Sequence, residues 1–590
     1  MNRRKFILIS LPSKKTAAAA VRKFCCGAAL GALVFVAIYG FATLDPTYDS
    51  WIRCGYVEQD VLQHYAAWQY LRNASWQFPL TWLDNLAAPT GAAAAWGDPL
   101  PWAALFFKLL SPILPATFQY IGIVSLLHYM LQGGFAWLLA DLFDSRIGVC
   151  IPSALLFCAW PVLIERTFRH TSLSAQWVIL WMLYLYFTAR RQKRLPWFSW
   201  CILFGLIPGI HAYYLPMAFG LLCASALEYL LRTRKLLPPV LLAGGCIGLA
   251  LCCARALGVI MPNIITAGDG YGVYSMNLNA PFNPSSMDLY TVSGKLDWSL
   301  LLPQLSQIQR QYDGFNYLGL GVLLGLAAAL VYGIILLIRF GLRAALIRLL
   351  RSLWDHIGLV IASAVFTVFA ASHIMYWGET LLCRIPLPES IWAFLGTFRA
   401  SGRIFWPVGY TLALGVIVFI ARVLPKEGRG RHLAVLALCL LLAVQLADLG
   451  GVLSYKAAHF RTGGQLVPTG EFETQKAEQL ISSADEVRCL GRLMYYDLAE
   501  SLIRYNPDIR TDIAFFTHGN YGMVLLRYED SLAQLQSGAP IAEDVLYIAC
   551  DRETCDAVLA AAHEDVVAWQ IENFYFFGVA AEGRPAPDYT

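Results

Sequence analysis

The chain has 590 residues, 58% of them hydrophobic and 14% charged, where soluble domains carry roughly 25% charged residues, so an ordinary soluble fold is excluded. The net charge of +4 is small and says little about nucleic acid, and no basic patch interleaved with aromatic residues supports such a partner, so none is expected. Most of the 15 cysteines lie in apolar runs, where a thiol behaves as a small hydrophobe, and no CxxC pair offers metal-ligand spacing.

The N-terminus is basic (MNRRKFILISLPSKK) and leads into an apolar run over 24–43. That run is long for a signal peptide and lacks a small-x-small cleavage site, so a retained first helix is expected. Ten further spans follow, at 117–141, 147–164, 172–189, 196–211, 213–231, 237–257, 316–338, 357–376, 404–422 and 432–450. With these about eleven spans, the basic segments 190–194 (RRQKR), 232–235 (RTRK), 339–351 (RFGLRAALIRLLR) and 422–431 (RVLPKEGRGR) all fall on the side of the N-terminus. Basic residues mark the cytoplasmic side. The segment 98–115 (DPLPWAALFFKLLSPILP) is short and proline-bounded, and reads as an interfacial or re-entrant helix.

The first outer segment, 44–116, contains Asp49, Glu58, Asp60 and His64 with Trp51, Trp68 and Trp76. Asp60, His64 and Trp68 are spaced by four and share one helical face. A carboxylate and an imidazole beside aromatic rings suit a sugar and its proton. The competing reading is a solvated interfacial helix with an aromatic belt. The next outer turn, 165–170 (ERTFRH), packs Glu165 and His170 with two arginines at the membrane surface, where snorkelling is the simpler explanation.

The long outer segment, 258–315, is rich in Tyr, Asn and Gly around Tyr271, Tyr274 and Tyr312, a composition that covers flat polar ligands or builds tight turns. The third outer segment, 377–403, ends in FRASGRIFWP, with Arg399 and Arg403 four apart. Arginines on the outer side run against the charge trend and need a partner, either a lipid-linked phosphate or Glu379 or Glu389. Arg255, near the outer end of its span, adds to the same side. His128, His211 and His373 read as helix-packing residues. From 451 the chain is charged, with strands expected at 486–491, 513–516 and 545–549 and helices at 497–505 and 555–563, an α/β pattern. Cys550 and Cys555, separated by four residues, are candidates for a local disulfide.

The segments QDVLQHYAAWQYLRNASWQFPL, GDPLPWAALFFKLLSPILPATFQYIG, RHTSLSAQW, GYGVYSMNLNAPFNP, QYDGFNYLGLG and FRASGRIFWP span most of 45–407. In this order they resemble the GT-C superfamily of polyprenyl-phosphate-sugar-dependent membrane glycosyltransferases, and within it a bacterial family. The resemblance implies a mainly α fold: a polytopic membrane helix bundle over 1–450 with a small extracytoplasmic α/β domain over 451–590. It implies a multi-pass protein of the bacterial inner membrane, with a cytoplasmic N-terminus and an extracytoplasmic C-terminal domain. It implies an inverting transfer of a sugar from a polyprenyl-phosphate donor to a glycan, lipid or protein acceptor. Asp60 is then the base, with Asp49 as second choice, and His64, Glu165 and His170 assist. Arg399, Arg403 and Arg255 hold the donor phosphate, and Trp68, Tyr271, Tyr274 and Tyr312 line the substrate. The paired carboxylates of metal-dependent members are missing from the second loop, so no cofactor is expected and a divalent metal lacks support. The alternatives are an O-antigen-ligase or polymerase type of enzyme, a transporter or flippase, and a non-catalytic scaffold.

Overall fold

The computed structural model describes residues 14–53, 60–261, 271–285, 290–291, 294–295, 298–424, 430–462, 472–491, 496–514 and 521–589. Glu58 and the second half of the strand expected at 513–516 lie outside these residues.

Helix α1 (Lys14–Tyr39) is followed by two short outer-segment helices, α2 (Ser50–Arg53) and α3 (Asp60–Asn73), and by α4 (Pro101–Leu110). The bundle continues with α5 (Ile121–Asp141), α6 (Ile147–Cys158), α7 (Pro161–Arg166), α8 (Trp177–Gln192), α9 (Trp197–Leu206), α10 (Tyr214–Thr233) and α11 (Leu237–Ala256). Next come α12 (Leu320–Phe340), α13 (Leu342–Asp355), α14 (Ile357–Ala371), α15 (Glu389–Gly396), α16 (Trp406–Val423), α17 (Gly430–Asp448) and α18 (Gly450–Arg461). Among the described residues, seven helices are long and apolar enough to cross a membrane, and up to nine if each bent pair counts as one span. The pairs are α13 with α14, bent by 84°, and α17 with α18, bent by 63°. The molecule is therefore a helical bundle of the multi-pass membrane kind.

Two expected spans are shorter than a full crossing. The run at 147–164 breaks into α6 and α7 at Pro161, whose ring and missing N–H suit a first helical turn and not an interior. The run at 196–211 ends its α-helix at Leu206, just before Pro208.

The helices give the bundle two unlike ends. At one, Arg190 at the close of α8 pairs with Glu228 of α10 at 2.8 Å, Arg232 donates to the Arg190 carbonyl at 3.1 Å, and the His356 ring meets Phe187. The other end carries the starts of α8, α10 and α16 together with the segments between helices. We call these the basic end and the site end.

The C-terminal unit contains a five-stranded sheet in the order Val566–Ile571, Phe574–Val579, Val545–Ala549, Glu486–Cys489, Arg510–Thr511. The last three strands are parallel and the first two pairings antiparallel. Helices α19 (Gln475–Ser482), α20 (Tyr496–Tyr505), α21 (Tyr521–Gln536) and α22 (Arg552–Ala561) accompany it. The strands at 486–489 and 545–549 and helices α20 and α22 fall where the sequence pattern puts them. Cys550 and Cys555 are free thiols. The sheet begins well after residue 451, because α18 still belongs to the bundle: its Phe460 ring packs on Tyr39 of α1 at 5.5 Å.

Candidate functional site

Helix α3 begins at Asp60, and its side chain is only partly covered. Its Oδ2 lies 3.3 Å from His170 Nδ1, contributed by the turn after α7. One helical turn on, His64 is buried, with Nδ1 3.3 Å from the Thr171 hydroxyl and Nε2 3.4 Å from Asp98. Burial pushes the His64 imidazole down to about 3. Burial first, and then the charges of Arg166, Arg403 and Arg169, hold His170 well below its usual range. Both rings are therefore neutral at pH 7 and can accept a proton only through a ring lone pair.

Asp98 was not a sequence candidate, yet it sits at the centre of this side. It occupies a left-handed backbone position (φ +62°), which Asp tolerates better than most residues. The Ser172 hydroxyl donates to it, His64 Nε2 is 3.4 Å away and His211 Nε2 4.0 Å away. Burial pushes its carboxyl up to about 7; the Ser172 hydrogen bond and Arg403 oppose that, and the Asp60 charge adds to it. His211, read from sequence as a packing residue, instead faces this carboxylate.

Beside these groups is a buried ionic network. Arg403 Nη2 reaches both Asp313 oxygens, at 3.1 and 2.9 Å, and Arg166 Nη2 reaches Asp313 Oδ1 at 2.7 Å. Glu165 pairs with Arg166 Nε at 2.7 Å and with Arg169. Lys456 of α18 donates to the Thr167 carbonyl at 3.2 Å. Burial would raise the Asp313 carboxyl, but Arg403 and Arg166 hold it well below the usual carboxylate range. Three guanidinium groups thus face two carboxylates in a buried setting, which leaves a cationic surplus. Arg166 Nη1 and Arg403 Nε have no hydrogen-bond partner among the described residues. Donors of this kind suit the oxygens of an anion such as phosphate.

The loops can meet because two glycines touch. A Cβ on Gly402 would stand 2.6 Å from the Gly314 Cα, so FRASGR and QYDG pack backbone to backbone and bring Arg403 onto Asp313. The Arg403 guanidinium also lies 4.8 Å from the Tyr213 ring centre. Arg399 is exposed at the rim, over Tyr274 at 5.7 Å, and Tyr274 meets Tyr312 edge-on at 6.0 Å. Tyr274, Tyr312 and Arg399 form an aromatic and cationic border to the network.

Several expected residues have other work. Trp68 shares the helical face of Asp60 and His64 but is 1% exposed, with its indole N–H on the Phe118 carbonyl, so no ring face is left for a sugar. Asp49 is buried, accepts the Tyr65 hydroxyl at 2.8 Å and pairs with Arg53 at 3.2 Å. Glu165 is 1% exposed and clamped by Arg166 and Arg169, the position of a counter-ion. Arg255 lies over the Phe78 ring at 4.9 Å, and Tyr271 stacks on His373 at 5.5 Å. The partner of Arg403 is Asp313, where sequence reasoning offered Glu379 or Glu389. Neither Asp98 nor Asp313 carries a pattern in the sequence beyond being an acid in a turn-rich segment.

The arrangement is polarised: carboxylates with neutral imidazoles on one side, guanidinium groups on the other, at one end of an apolar bundle. Among the described residues, no three His, Cys, Asp or Glu side chains converge to hold a metal ion. These features define a polytopic membrane protein with an ionic site at the end of its helices. Residues 28–450 match the DUF6311 family, a domain of unknown function, and the chain belongs to that family. No curated protein matches the chain.

Proposed function

We propose that this protein is a GT-C-type membrane glycosyltransferase that moves a sugar from a polyprenyl-phosphate donor to an acceptor hydroxyl, with inversion at the anomeric carbon. The observation that carries this reading is the approach of Asp60 to His170 beside the Arg166–Asp313–Arg403 network. In the proposed reaction Asp60 takes the acceptor hydroxyl proton while the acceptor oxygen attacks the anomeric carbon. The bond to the donor phosphate oxygen breaks, and the lipid phosphate leaves with the electron pair. Arg403, Arg166 and the rim residue Arg399 neutralise that developing charge. His170 orients Asp60. In this reading the site end faces the extracytoplasmic side of a bacterial inner membrane, about eleven spans are used, and the N-terminus is cytoplasmic.

A deletion strain is expected to accumulate a lipid-linked sugar, identified by mass spectrometry of the envelope lipids. Complementation with Asp60→Asn should leave about 10²–10⁴-fold less transfer at normal membrane levels, the usual contribution of a positioned base. Arg399→Ala should mainly raise the donor concentration needed, by about tenfold, as for loss of one charged hydrogen bond. Wild-type transfer by the Asp60 variant would remove the base assignment. If His170→Gln abolished transfer under that outcome, an O-antigen-ligase type of enzyme would be favoured instead.

A further inference from the structure

Helix α13 stands apart from the site. It connects α12, which ends at Phe340, to α14, which starts beside the Phe187–His356 contact, so it lies at the basic end. None of its residues is buried. Leu342, Leu346, Leu349, Leu350 and Leu353 recur at helical spacing and form one stripe. Leu342 is 70% exposed and Trp354, at the stripe's edge, 68%, so protein does not cover this face. Arg348 and Arg351 stand on the opposite face and Arg343 at the edge beside Trp354. Arg348 also lies over the Phe340 ring at 4.3 Å, with Arg339 at 5.5 Å from it.

A transmembrane role for α13 fails on charge, because burying it would carry Arg343, Arg348 and Arg351 into hydrocarbon. The 84° bend between α13 and α14 removes that difficulty, since it lets α13 turn away from α14 and lie along the bilayer surface.

We propose that α13 is an interfacial anchor that binds anionic phospholipid headgroups at the basic end of the bundle. The leucine stripe enters the acyl-chain boundary, and Arg339, Arg343, Arg348 and Arg351 sit at phosphate level. The charge complement decides between a neutral and an anionic lipid surface. Each arginine near an anionic surface contributes about fivefold in binding, so three together exceed tenfold.

The test uses the full chain in phosphatidylcholine nanodiscs doped with phosphatidylglycerol carrying an acyl-chain diazirine. After photolysis, adducts are mapped by mass spectrometry. Adducts are expected on the peptide covering 342–354, with at least about tenfold less labelling by the matching phosphatidylcholine probe. The R343Q/R348Q/R351Q variant should lose the preference by the same factor while staying monodisperse. A second variant, L350E, keeps every arginine and should lose the acyl-chain adducts. Equal labelling by the two probes, or a preference unchanged in the triple variant, would overturn the proposal. So would crosslinks between two copies at α13 with no lipid adducts, because a second copy would then cover the stripe.

Discussion

The Asp98 carboxyl changes charge near neutral pH, and this makes a pH signature. Its unfolded value is 3.8 and its folded value about 7, so the folded protein holds a proton that the unfolded chain releases. Stability from this group is complete below about pH 4 and is lost as the pH rises through about 7. Asp98→Asn keeps an oxygen for the Ser172 hydroxyl and tolerates the left-handed backbone, yet cannot ionise. The melting temperature of the wild type should therefore fall relative to Asp98→Asn between about pH 4 and pH 7 and level off above that, as read by thermal unfolding in detergent. A constant gap would refute the assignment. At this scale the sequence was informative where charge opposed its surroundings. Asp60, His170 and Arg403 were visible as ionisable groups at the edges of apolar runs. Asp98 and Asp313 were not, because their weight comes from partners some 74 and 90 residues distant along the chain. Trp68 was misread for the converse reason. Spacing puts it on the Asp60 face, but only packing reveals that Phe118 and Tyr120 cover it.

Helices α1 and α5 pack through backbone. A Cβ on Gly31 would stand 1.9 Å from the Tyr129 carbonyl oxygen, and one on Gly133 would stand 2.2 Å from that of Gly27. Gly27 and Gly31, four apart, act as the small-residue seam that lets membrane helices approach closely. Gly31→Leu should push the two helices apart and lower the melting temperature clearly, since even modest overpacking costs about 1–3 kcal/mol. Gly244→Leu on α11, where nothing lies within 4 Å, is the matched control and should be neutral. Similar losses from both variants would argue against the seam. The same packing builds α1 into the bundle, with Tyr39 buried against Tyr129, Phe168 and Phe460. Apolar run length located the helices well. It did not reveal the sharp bends at α13–α14 and α17–α18, neither of which falls at a proline.

The C-terminal unit is tied to the segment that carries Asp60. Its edge strand continues into the first outer segment: Thr511 N–H donates to the Asn85 carbonyl at 3.0 Å, Ala87 to Ile513 at 3.1 Å and Ala88 to Thr511 at 2.9 Å. Helix α20 packs on α3, where the Tyr70 hydroxyl donates to the Ala499 carbonyl at 3.0 Å. Tyr496, the first residue of α20, is pushed up to about 12 by burial and by the Asp60 charge, so the unit reaches the site itself. Alternating strand and helix patterns made an α/β region legible in the tail, but its attachment rests in part on backbone groups that any sequence offers. The consequence is a long-range dependence. A chain ending after residue 462 retains Asp60, His170, Arg399 and Arg403, yet α3 loses its cover and Asn85–Ala88 lose their strand partner. Such a chain should still insert in membranes, exchange the amide hydrogens of α3 much faster in deuterium, and fail to complement the deletion strain. Unchanged exchange in α3 would mean that the bundle alone holds the site, and the C-terminal unit would then have to act elsewhere.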